Sequence, residues 1–242
     1  MYEKGLCYFC AIVARHENDP AVECPGCKRE FNGLLENGLC LDCSRTKSET
    51  ESRLRAQKAR LAQVFGEEAG NTFRLENFKE LIGTEGALAA AKLFHPRYSS
   101  LFFYGPTGRG KTHLAFAVGI EHFLQGSAVD WVTPEILVQR VRGRGQKYLD
   151  SIKYFVGLDV LILDELGLRP ASDNFLECVC EIMNQRKYAG KRGLIVTSNL
   201  YLDDLAKLNG EDRFTSRLAE ECAGNMFEIS TPTDFRIAPP EA

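Results

Sequence analysis

Ser100–Leu124, SLFFYGPTGRGKTHLAFAVGIEHFL, decides the fold. Its first residues, through Tyr104, form an apolar run of the length expected for a strand buried on both faces. From Lys111 the apolar residues recur at helical spacing to about residue 125. Between the two lies Gly105-Pro106-Thr107-Gly108-Arg109-Gly110-Lys111-Thr112, a match to G-x-x-x-x-G-K-[ST] in the strand–loop–helix setting that gives the pattern its meaning. Glycines let backbone amides turn inward around phosphate oxygens, and the helix N-terminus adds a favourable dipole. Gly105–Thr112, with His113 following, therefore read as a nucleotide-phosphate cradle. Lys111 would contact the β- and γ-phosphate oxygens, and the Thr112 hydroxyl would ligate Mg2+.

Working outward, short apolar segments alternate with helical patterns from Asn71 onward. Strands are expected at Ser100–Tyr104, Ala128–Val132, Val160–Asp164, Leu194–Ser198 and Met226–Ile229, with helices near 84–94, 111–125, 134–143, 173–189, 201–208 and 211–221. Such alternation predicts an α/β fold, a five-stranded parallel sheet flanked by helices. The segment VLILDEL runs four apolar residues into Asp164 and Glu165 at a strand's C-terminal end, where open α/β sheets bind ligands. Asp164 suits Mg2+, and Glu165 suits polarisation of an attacking water. A third strand, GLIVTSN, ends in Thr197-Ser198-Asn199, a polar end able to hold that water or read the γ-phosphate.

Six of the nine cysteines form three pairs within the first 43 residues: Cys7/Cys10, Cys24/Cys27 and Cys40/Cys43. An odd, clustered set is a poor disulfide framework. CPGCKREFNGLLENGLCLDC holds two Cys-x-x-Cys knuckles separated by twelve residues, with Gly26 and Gly38 where tight turns are needed. Cys24, Cys27, Cys40 and Cys43 are thus expected to bind one Zn2+, structurally, because four thiolates leave no open position. Cys7 and Cys10 could replace either later pair, bind a second metal with His16 and a further ligand, or be free thiols. Next comes SRTKSETESRLRAQKARLAQVFGEEAG, rich in both charges, with Leu54, Leu61, Val64 and Phe65 at helical spacing. We read a zinc module over 1–48, a helical linker over 49–70 and an ATPase domain over 71–242.

The 242 residues are 44% hydrophobic and 26% charged, and 30 Lys+Arg against 33 Asp+Glu give a net charge of −3. That excludes a chain that is basic all over, although a local patch is enough for nucleic acid. No apolar run approaches the ~20 residues that span a bilayer, and MYEKGLCYFC lacks a signal peptide's apolar segment. A cytoplasmic protein, of a bacterial or phage-infected cell, is expected.

GPTGRGKTHLA, LILDELG, TSN and EDRFTSRL, in this order and spacing, closely resemble the AAA+ ATPases of the DnaA/DnaC/IstB clade over roughly residues 72–231. Within it the chain looks most like a DnaC-type helicase loader, some of which carry an N-terminal zinc-binding domain. The resemblance implies ATP and Mg2+ as cofactors and a replicative helicase as partner. It also implies a head-to-tail homo-oligomer around single-stranded DNA. Asn199 then matches the sensor residue of the third motif, and Thr72–Phe78 resembles the base-contacting segment. Arg217, with Arg213 second, matches the arginine finger that reaches the neighbouring subunit's γ-phosphate, so hydrolysis would require assembly. Most AAA+ proteins continue into a helical lid, whereas this chain stops with TPTDFRIAPPEA, and DnaC and IstB relatives are also short at this end.

Pro134–Lys153 carries Arg140, Arg142, Arg144, Lys147 and Lys153 against Glu135 and Asp150, a local excess of three positive charges. In the clade this region holds an extra helical element that faces the central pore and single-stranded DNA. Arg140, Arg142, Arg144 and Lys147 are therefore candidates for the DNA backbone, with Tyr148 stacking on a base; a solvated basic helix and loop is the other reading. The leading expectation is an ATP-dependent helicase loader. The alternatives are an IstB-like transposition ATPase acting on duplex DNA with a transposase, and a non-hydrolysing ATP-binding adaptor.

Overall fold

The computed structural model describes residues 21–32, 35, 37–141, 145–170, 172–191, 193–210, 212–232 and 234–235. Cys7, Cys10, His16, Arg142 and Arg144 lie outside the described residues. Two compact units divide the chain after Ala59.

The first unit is built on a hairpin, β1 (Ala21–Glu23) and β2 (Glu30–Asn32), paired antiparallel with Val22 opposite Phe31. It includes the first turns of helix α1 (Leu41–Phe65), which begins well before the expected Glu49. The extension puts Cys43 in the first turn, beside the N-terminal pole of the helix.

The second unit begins with the end of α1 and the short helix α2 (Ala69–Thr72) and continues with α3 (Glu85–Lys92). Then follow β3 (Leu101–Tyr104), α4 (Lys111–Leu124), β4 (Val129–Val132), α5 (Pro134–Arg140), α6 (Gln146–Gly157), β5 (Val160–Leu166) and α7 (Asp173–Tyr188). It closes with β6 (Leu194–Ser198), α8 (Leu202–Asn209), α9 (Asp212–Glu221) and β7 (Met226–Glu228). The five expected strands form one parallel sheet in the order β4-β5-β6-β3-β7. Helix α6 was not among the helices read from periodicity, although the resemblance implied an extra helical element in this region. The glycines before it read as loop, yet Ile152 and Phe155 anchor it in the core.

Alternate residues of each strand enter opposite layers, as a period of two requires. In β5, Val160 and Ile162 join Leu101 and Phe103 of β3 in a cluster with α3, α4 and the end of α1. Leu161 and Leu163 join Phe102 and Val196 in the opposite cluster, with α5, α6, α7 and α9. Burial on both faces is why these strands read as unbroken apolar runs. The one tryptophan, Trp131 on the edge strand β4, lies 5.1 Å from the Phe116 ring and donates its indole N–H to the Val64 carbonyl at 2.6 Å.

At the opposite end of the sheet from the loops that follow the strands, Arg186 of α7 is 2% exposed. Its guanidinium donates to the carbonyls of Phe155 (2.9 Å), Leu158 (2.7 Å), Asp159 (3.3 Å) and Gly193 (3.0 Å), joining the end of α6 to the entries of β5 and β6. Burial lowers its pKa to about 10, with Glu221 and Asp159 opposing, so it stays charged at neutral pH. We expect Arg186→Ala, which strands these carbonyls, to cost about 3 kcal/mol or more in urea unfolding. Arg186→Lys, with one ammonium in place of a fork, should recover only part of that.

Candidate functional site

The loop after β3 turns through three glycines with positive φ: Gly105 (+131°), Gly108 (+77°) and Gly110 (+93°), the last capping α4. A Cβ on Gly105 would stand 2.6 Å from the Ile229 carbonyl oxygen, so both space and conformation demand glycine there. Lys111 is buried, and its Nζ donates to the carbonyls of Gly105 and Pro106, each at 2.7 Å. The lysine thus braces the loop from within.

The sheet order sets β6 between β3 and β5. Asp164 Oδ1 consequently accepts hydrogen bonds from the Thr112 hydroxyl of α4 (3.0 Å) and the Thr197 hydroxyl of β6. Asp164 is 4% exposed. Burial pushes its carboxyl above the ordinary range, against the opposing effects of the Thr197 and Thr112 bonds, the Glu165 amide and the Lys111 charge. The register between β5 and β6 shifts between Leu163 and Leu166, and Glu165 sits within the shift at φ +63°. In a regular strand two successive side chains point to opposite faces. The irregularity instead leaves Asp164 on the hydroxyls and Glu165 in the cavity wall, with the Glu165 amide held by Thr197 Oγ1 at 3.0 Å.

One cavity of about 640 Å³ is lined by Thr107–His113, Glu165, Thr197–Asn199, Phe73 and Phe78. His113 Nε2 is 3.0 Å from the Arg74 carbonyl oxygen, and its ring meets Phe73 and Phe78 edge-on at 5.4 Å. Burial lowers the His113 pKa, opposed by the Arg74 carbonyl. Thr197 as the second partner of Asp164 is more than sequence reasoning assigned to it. The available signal was the pair of hydroxyl residues, Thr197 and Ser198, that ends the buried run LIVTS.

Arg213 and Arg217 of α9 do not line this cavity. With Lys187, Tyr188, Ser216 and Glu220 they edge a separate cleft, where Lys187 pairs with Glu220. The basic stretch is only partly as expected. Arg140 pairs with the buried carboxylate of Asp130, which also accepts from the Tyr154 hydroxyl at 2.8 Å. Tyr148 donates to Glu181 Oε2 at 2.6 Å and packs against the core, an arrangement unlike an open stacking platform. Both side chains thus have partners within the chain, while Lys147 is exposed.

In the first unit the Sγ atoms of Cys24, Cys27, Cys40 and Cys43 lie within 4.8 Å of one another. The Cys40 amide, 3.4 Å from Cys24 Sγ, is the main influence lowering the Cys24 thiol pKa to about 6. The Arg29 amide and guanidinium lower that of Cys27. Cys43 is raised to about 12, first by the neighbouring Cys40 and then by burial. Gly38 adopts the expected left-handed turn at φ +73°, whereas Gly26 is needed for space: a Cβ there would stand 2.9 Å from Cys43 Sγ.

A family model described as IstB-like ATP binding protein matches residues 50–223. The ATP-binding protein of insertion sequence IS5376 from Geobacillus stearothermophilus is 30% identical over 49% of this chain and 47% of its own. The replicative helicase loader DnaC of Escherichia coli K12 is 27% identical over 56% of this chain and 59% of its own. A crystal structure of the DnaC helicase loader shares the fold, with a TM-score of 0.53 at 24% identity over 67% of this chain and 98% of that one. The chain spans about half the length of the curated relatives it matches.

The Asp164 environment gives a test of its own. Because burial raises its pKa, the folded chain holds that proton more tightly than the unfolded chain. The cost of charging is absent below the ordinary carboxylate range and fully present above the raised value. Nucleotide-free Asp164→Asn, which keeps the shape without the charge, should therefore melt above the parent protein at pH 7. The difference should shrink as the pH falls toward 4, followed by circular dichroism.

Proposed function

This chain belongs to the IstB-like ATP-binding family, and we propose that it is a Mg2+-dependent ATPase that loads a replicative helicase onto single-stranded DNA. The observation that carries the ATPase reading is the convergence on Asp164 of the Thr112 and Thr197 hydroxyls, two residues that line the same cavity as Lys111 and the glycine loop. An all-oxygen set of one hydroxyl and one carboxylate fits Mg2+, which would be held by Thr112 and Asp164 and would supply charge neutralisation at the β- and γ-phosphates.

In this reading Lys111 leaves the loop carbonyls for the phosphates, exchanging neutral acceptors for charged ones. Glu165 faces the cavity and accepts the proton of the attacking water, and Asn199 orients that water. Arg217, with Arg213 beside it, serves the γ-phosphate of an adjacent copy. A cleft separate from the chain's own cavity supports that role. Head-to-tail assembly then completes each site, which ties hydrolysis to oligomerisation.

The loading reading draws support from the likeness to DnaC and from a cysteine-bearing unit distinct from the ATPase unit, suited to gripping a partner. The four clustered thiols suit one structural Zn2+, with no position left for a substrate. Lys147 and the neighbouring basic residues would contact the DNA backbone. A second reading, transposition on duplex DNA with a transposase, is favoured by the family model and by the insertion-sequence relative. DNA preference separates the two: ATP-dependent binding to single strands with helicase capture supports loading, and stable filaments on duplex without it support transposition.

Lys111→Ala should remove measurable ATP binding. Arg217→Ala should leave ATP affinity within about twofold while DNA-stimulated hydrolysis falls by about 10³. Equal loss of affinity in both variants would overturn these assignments. Purified protein should contain about one zinc per chain by elemental analysis. Cys27→Ser should release that zinc and weaken helicase capture, with ATP affinity unchanged.

A further inference from the structure

After β7 the chain does not leave the nucleotide site. The Ile229 amide donates to the Tyr104 carbonyl at 2.8 Å, extending the edge of the sheet, and Ile229 and Thr231 are both buried. Pro232, Asp234 and Phe235 then meet the glycine loop. The Phe235 amide donates to the Gly108 carbonyl at 2.9 Å, and the Arg109 guanidinium donates to the Pro232 carbonyl. The Asp234 carboxylate packs so closely on Gly108 that a Cβ there would stand 2.1 Å from its Oδ1. Three contacts thus tie this strap to successive residues of the loop that forms the phosphate cradle.

The strap delivers an aromatic ring to the cavity. Phe235 forms part of its wall and lies 6.4 Å from Phe78, the planes inclined at 50°. Phe78 is itself held against the loop, since a Cβ on Gly110 would stand 2.8 Å from its Cε2. Aromatic rings contributed by chain segments more than a hundred residues apart therefore line the cavity. In the same cavity wall, Arg109 Nε is buried without a hydrogen-bond acceptor, an orphan donor beside the strap. A flat, apolar, heteroaromatic group joined to an anionic chain fits this combination, and a nucleoside triphosphate is such a molecule.

We propose that Pro232, Asp234 and Phe235 complete the nucleotide site, with Phe235 packing against the base while the loop holds the phosphates. The proposal rests on the ATP-binding reading above and adds a binding residue that the glycine loop and acidic strand do not supply. The strap is anchored to the backbone of the same loop, so it positions the ring only while the loop keeps its nucleotide-binding shape.

The test is calorimetric titration of the full chain with ATP and, separately, with inorganic tripolyphosphate, which has the anionic chain but no base. Phe235→Ala should weaken ATP binding about tenfold and leave tripolyphosphate binding unchanged. Phe235→Trp should restore ATP affinity, and the new indole emission should be quenched as ATP fills the site. ATP affinity within twofold of the parent in Phe235→Ala overturns the proposal, and so does equal weakening of both ligands, which would mark a purely structural role. A parent chain that binds neither ligand sinks the ATP-binding reading itself, an outcome distinguishable because no variant is needed to see it.

Discussion

One carboxylate oxygen organises the second unit. Asp164 Oδ1 takes the hydroxyls of Thr112 and Thr197, and so joins the first turn of α4 to the ends of two neighbouring strands. A buried carboxylate left without donors would be costly, and this one has two hydroxyls and the Glu165 amide, with a lysine charge nearby. The requirement reaches outward. It calls for β6 between β3 and β5, a hydroxyl where an apolar residue would otherwise suit the core, and a glycine loop tight enough to start α4 beside the acid. The positive φ of Glu165 belongs to the same arrangement, turning a second carboxylate into the cavity.

Much of this was legible before any coordinates. Buried parallel strands announce themselves as apolar runs, and all five appear within a residue or two of their expected bounds. The glycine loop is readable because its conformation admits few other residues. The less visible parts share a cause, namely contacts between residues far apart in the chain. Arg186 looks like one more surface charge near a helix end, and only the fold brings four carbonyls around it. Helix α6 is short and preceded by glycines, and it becomes recognisable once Ile152 and Phe155 are seen in the core. Phe235 follows a Pro- and Thr-containing segment that carries no periodic signal.

The basic stretch teaches the same lesson in reverse. Counting charges over Pro134–Lys153 treats each side chain as equally available. The fold assigns Arg140 to Asp130, an acid buried on an edge strand, and gives Tyr148 to Glu181. Part of the apparent positive excess is thus consumed in securing α5 and α6. In the cysteine unit, by contrast, the sequence spacing carried nearly everything, because two short knuckles bring their own sulfur atoms together with little help from elsewhere.

The placement of Trp131 has a practical consequence. The chain's single indole is wedged between the Phe116 ring and the Val64 carbonyl, in the unit that begins at Arg60. Intrinsic emission excited at the red edge of the protein band is therefore a one-site reporter. It senses whether the last turn of α1 remains seated beside the sheet and is blind to melting confined to the cysteine hairpin. Comparing that optical signal with the loss of total helicity would separate the disassembly of the two units without any label.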